Sequence, residues 1–74
     1  MTTFSEANQA RLALKMALSQ YAWFSGIIVQ STNDGFVVVV QVNRIDDVVR
    51  KTVPIVRDGV DVRTEMAGRK KKGL

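Results

Sequence analysis

The spacing of apolar residues changes period once along this chain. Over the first third it is helical. Ala7, Ala10, Ala13, Leu14, Ala17, Leu18 and Tyr21 recur every three or four residues and define one broad apolar stripe. Thr3 followed by Glu6 fits a capping box, in which the hydroxyl accepts from a free backbone N–H and the carboxylate reaches back. No Gly or Pro interrupts before Gly26. The pattern predicts an amphipathic helix over about residues 4 to 21. Leu12 and Met16 fall on its opposite side, four residues apart, among Ser5, Gln9 and Ser19.

From Trp23 onward the period is two. Residues 23–32 and 36–43 are rich in β-branched and aromatic side chains, and Asn33-Asp34-Gly35 stands between them. With Asp34 and Gly35 as a two-residue turn, Val29 faces Val40, Ile27 faces Val42 and Ser31 faces Val38. One face is then Ile27, Val29, Phe36, Val38, Val40 and Val42, almost wholly apolar and fit to meet the helix. The other is Ile28, Gln30, Thr32, Val37, Val39 and Gln41, which is mixed. Gly26 marks a bulge or a close backbone approach. Residues 44–52 read either as a single helical turn capped by Asp46 or Asp47, or as a loop. Pro54 opens a short strand. Asp58-Gly59 is a second hairpin signal. The alternation of Val60, Val62, Thr64 and Met66 with Asp61, Arg63 and Glu65 predicts a half-buried strand.

The fold class predicted is α+β: an N-terminal amphipathic helix packed on a three- or four-stranded, mainly antiparallel sheet, in the order α-ββ-ββ. A single domain is expected over residues 1–68, followed by a basic, flexible C-terminal tail over residues 69–74. The stretch containing Pro54, Asp58-Gly59-Val60, Val62, Glu65 and Gly68 resembles the closing hairpin of small domains found beside trypsin-like peptidases. That resemblance covers hairpin chemistry and implies no activity or residue role.

Charge alters the picture more than composition does. The 74 residues hold eleven Lys/Arg and seven Asp/Glu. Four of the bases, Arg69, Lys70, Lys71 and Lys72, sit in the tail, so residues 1–68 balance seven bases with seven acids. The pI near 10 describes that tail and not a basic folded surface. Four cations on a strap are the candidate site for nucleic acid or another polyanion, and no aromatic is interleaved to stack on bases.

Neither Cys nor His occurs. Disulfides are excluded, and a zinc site would have only carboxylates to hold it, so no metal and no cofactor are expected. The usual nucleophile–histidine pairs are excluded as well, and no catalytic residue is assigned. The acidic pairs Asp46-Asp47 and Asp58 with Asp61 suit a helix cap and a turn better than a calcium loop. Tyr21, Trp23 and Phe24 suit the closing of a small core, and no small-molecule ligand is predicted. The longest apolar run is Phe36–Val40, too short for a membrane span, and no targeting segment is visible. A cytoplasmic location is the resulting expectation.

A chain this short, without disulfide or metal, usually needs a partner to complete its core. The apolar residues on both faces at Val37–Val40 point the same way. The expectation is a small non-catalytic interaction or assembly module. It would self-associate as a homo-oligomer or dock on a protein partner through its sheet. Val37 and Val39, or else the sheet edge, are the expected contact, and Leu12 and Met16 are the further candidate interface residues. The alternative is a nucleic-acid accessory protein acting through the tail.

Overall fold

The computed structural model describes residues 2–67. It has the α+β architecture, with two helices and a four-stranded mixed sheet.

Helix α1 (Phe4–Leu18) begins at a capping box. The Glu6 N–H donates to Thr3 Oγ1 at 3.2 Å, and the Thr3 N–H donates to Glu6 Oε1 at 2.9 Å. Two orphan donors are thereby satisfied reciprocally. Ala7, Ala10, Leu14 and Leu18 are its buried residues. The helix stops three residues short of the expected end. The Tyr21 N–H turns back to the Leu18 carbonyl at 3.0 Å, and the Phe24 N–H does the same to Tyr21 at 3.2 Å. Gln20 Nε2 donates to the Ala17 carbonyl at 3.1 Å, which replaces a lost helical partner. This tight exit carries Trp23 into the core, stacked on Tyr21 with ring centroids 4.9 Å apart.

Strands β1 (Phe24–Thr32) and β2 (Gly35–Val42) form an antiparallel hairpin. Ile27 pairs with Val40, Val29 with Val38, Ser31 with Phe36 and Thr32 with Gly35. The register thus lies two residues from the expected one, and the turn is Asn33-Asp34. Thr32 Oγ1 causes the difference: it accepts from the Asp34 N–H and donates to the Gly35 carbonyl, both at 3.3 Å. This local bonding holds Asn33 and Asp34 without positive φ, and only Gly35 takes one, at 130°. An even slip leaves each side chain on its expected face. The pairing shifts between Phe24 and Gly26. That shift is the bulge alternative expected at Gly26, where an added Cβ would lie 3.1 Å from the Gln41 side-chain Oε1 and not against backbone.

Helix α2 (Asp47–Thr52) settles the reading of residues 44–52 in favour of a helix. Asp46 is its N-cap, accepting from the Val49 N–H at 3.0 Å. Pro54 ends this helix and does not open a strand. It holds Val53 at ψ 118°, outside the helical region, and Val53 is buried. Strands β3 (Val56–Arg57) and β4 (Val60–Met66) follow, joined by the expected Asp58-Gly59 turn. Both turn residues have positive φ, 51° and 80°, as a two-residue hairpin requires.

The strand order is β1-β2-β4-β3, and β2 pairs with β4 in parallel. The outer two pairings are antiparallel, so the sheet is mixed. The reason lies in burial. Both residues of β3 are exposed, whereas β4 brings Val60 and Val62 to the core. The strand with an apolar face to hide takes the inner position. Val49 and Val53 come in from the crossover to join the same cluster.

Loss of the α1 cap is expected to be measurable. Thr3→Ala should cost about 1 kcal/mol, read from the shift in urea midpoint at constant slope. Acidification acts on the same device. The backbone N–H of Thr3 holds Glu6 below the ordinary carboxylate range, and the N–H of Val49 does the same for Asp46. A depressed folded pKa means stability that is present above that range and lost as pH falls through the depressed values. The destabilisation caused by Asp46→Ala should therefore be clear at neutral pH and shrink on acid titration. A loss independent of pH would show that the carboxylate charge plays no part in the cap.

Candidate functional site

The sequence-predicted interface residues separate onto opposite surfaces. Leu12 and Met16 lie on the outer face of α1, 46% and 82% exposed. Val37 and Val39 lie on the sheet face turned away from α1, and they are only 5% and 2% exposed in the single chain. Their burial follows from position. β2 is an inner strand, and Val39 is flanked by Ile28 on β1 and Arg63 on β4. The pair therefore offers little surface to a second chain. Arg69, Lys70, Lys71 and Lys72 lie outside the described residues.

The two free edges of the sheet differ in kind. β3 is two residues long, follows Pro54 and carries Arg57, whose Nε lies 3.4 Å from Asp58 Oδ2. Short length, charge and nearby proline are the usual means of blunting an edge. β1 has none of them. It runs for nine residues, FSGIIVQST, without a charge or a proline. Alternate residues of such a strand direct their N–H and C=O groups away from β2, where no strand among the described residues receives them.

A groove of about 310 Å³ runs beside this edge, lined by Phe4, Asn8 and Arg11 of α1 and by Ile27, Ile28 and Val29 of β1. Successive strand side chains point to opposite faces. A depression that touches three consecutive residues must therefore lie against the side of the strand, not beneath one face. The α1 wall is held in place. Phe4 packs edge-on against Phe36 at 5.6 Å, and Arg11 Nε donates to Asn8 Oδ1 at 3.0 Å. Among the described residues Arg11 has no acidic partner, since the two ion pairs are Arg44–Asp46 and Arg57–Asp58. The groove is thus apolar along the strand and positive on its helical wall.

A second concavity, of about 440 Å³, is lined by Thr32, Asn33, Asp34, Val37, Asp61 and Arg63 among others. It is polar and carries both signs of charge. Among the described residues no group of three or more carboxylates is placed to hold a metal ion. No helix among them is long and apolar enough to cross a membrane.

The β1 edge was not among the residues singled out from the sequence. The signal available was the absence of charge over residues 24–32. Whether that stretch lies inside the sheet or at its rim depends on strand order, which periodicity does not encode. Comparison with protein-family models, characterised proteins and solved structures finds no match for this chain.

Proposed function

We propose that this chain is a small non-catalytic interaction module that docks on other protein chains through its sheet, with β1 as the contact. One observation carries the reading: β1 is a nine-residue uncharged edge, regularly paired from Gly26 to Thr32, whereas the opposite edge is short and charged. An exposed strand edge is a template for a further strand, and main-chain hydrogen bonds supply the affinity. The absence of His and Cys supports a non-catalytic role. Burial of Val37 and Val39 within the single chain favours the sheet edge over the sheet face, the two contacts expected from the sequence.

The test is site-specific photocrosslinking in cells that express the chain. A photoreactive residue is placed in turn at Gln30 on β1, Arg57 on β3 and Met16 on the outer face of α1. Discrete protein adducts are expected from Gln30 and not from the other two. Adducts concentrated at Met16 would move the contact to the helix face. An adduct of twice the chain's own mass from Gln30 would mean that the edge serves self-association. Absence of adducts at all three positions would overturn the proposal.

A further inference from the structure

The charge of the β1 groove narrows what can occupy it, given that β1 is the contact edge as proposed above. Three occupants would satisfy the free backbone groups: a second copy of β1, the chain's own tail, or an extended segment of another protein. Self-pairing of antiparallel β1 strands across a two-fold axis near Ile28 carries a penalty. Arg11 lines the groove beside Ile27, Ile28 and Val29. Such an axis would bring two copies of Arg11 toward one another with no acid in the groove to separate them. The tail fails on the same ground, since Arg69–Lys72 would add four cations beside Arg11. A foreign strand carrying a carboxylate has no such conflict.

We infer that the β1 groove takes an extended, acid-bearing segment of a partner protein. The segment adds to β1 as a fifth strand and sets an Asp or Glu against Arg11. The remaining chemistry follows from the walls. Ile28 is 43% exposed and Phe4 is 55% exposed, so apolar side chains on the incoming strand find cover on both sides of the edge. Arg11 is already steered by Asn8, which leaves its terminal nitrogens to receive a carboxylate as a pair of hydrogen bonds. Proline is unsuited to the segment wherever its missing N–H would face β1. The hydrogen bonds would supply most of the affinity, and Arg11 would supply the preference for acid.

The experiment is selection of a random nine-residue peptide library on the full folded chain, followed by affinity measurement. Selected peptides are expected to alternate apolar and polar residues, to be depleted in proline and to carry an Asp or Glu. An acid-bearing selected peptide should shift the amide resonances of residues 26–32. Its affinity should fall about threefold to tenfold with Arg11→Glu, which removes the ion pair and also sets two carboxylates against one another. Changing the peptide's acid to Lys should restore binding to that variant. N-methylation of alternate peptide amides should abolish binding to both. Arg11 faces the groove at the surface, so circular dichroism of Arg11→Glu should match that of the parent.

Peptides that perturb residues 26–32 but show no acid preference would overturn this inference and leave the β1 contact intact. A library that yields no strand-like binder, or binders that perturb other residues, would overturn both. A β1-mediated dimer in sedimentation, dissociated by Ile28→Lys, would replace the foreign strand with a second copy.

Discussion

Val40→Asp is expected to unfold the domain at neutral pH. Val40 has no exposed surface and sits on an inner strand, opposite Ile27 on β1 and Thr64 on β4. A carboxylate there would have no cationic partner, since the buried cluster around it is hydrophobic. The cost is several kcal/mol, or the new carboxyl stays protonated with its pKa raised. A domain of this length holds on the order of 5 kcal/mol in total, so the two states would be comparably populated at best. Raising the folded pKa gives a sign. The variant should be relatively more stable in acid and lose stability as pH rises through that pKa, the opposite of the caps at Glu6 and Asp46.

Gln41→Glu is the control. Gln41 lies on the far face and donates through Nε2 to Glu65 Oε1 at 3.4 Å. Replacement sets two carboxylates side by side in water, with an expected loss of about half a kcal/mol or less. Urea melts of the two variants at several pH values check the assignment. A larger loss for Gln41→Glu would mean that the two faces are exchanged.

Trp23→Ala should cost about 3–5 kcal/mol, the range for removing a large buried aromatic. Trp23 is buried at the junction of the α1 exit and β1, and the nearly parallel ring of Tyr21 lies on it. Removal would open a cavity at the end of the core and free the turn that reverses the chain. Tyr21→Ala should cost markedly less, because Tyr21 is only half-buried. Trp23 is the chain's one tryptophan, so the melt must be followed by far-ultraviolet circular dichroism. Equal losses for the two variants would show that the stack, and not burial of the indole, closes this end.

Local chemistry was legible without coordinates. Thr3 and Glu6 make the capping box their spacing specifies, and Asp58-Gly59 makes a turn with two positive φ values. The alternation in β1 and β2 assigned Val38, Val40 and Val42 to the helix-facing side. These features depend on residues within a few positions of one another, or on a period that survives an even slip. The hairpin register did not survive. It turned on whether Asn33-Asp34 or Asp34-Gly35 makes the turn, and the Thr32 hydroxyl decides that from outside the turn itself.

What only the tertiary structure decided is who neighbours whom. The sequence by itself determined an amphipathic helix, two hairpins and the face that β1 and β2 turn toward the helix. It left open that β4 and not β3 pairs with β2, because strand order is chosen by competition for the core. β3 brings no buried residue, and β4 brings Val60 and Val62. That choice makes β2 an inner strand, which buries Val37 and Val39 between flanking strands. It also leaves β1 at the rim, with its backbone groups facing outward beside Phe4, Asn8 and Arg11. An uncharged strand reads the same inside a sheet or at its edge. Only the packing of the whole chain separates the two, because an edge is defined by the neighbour that is not there.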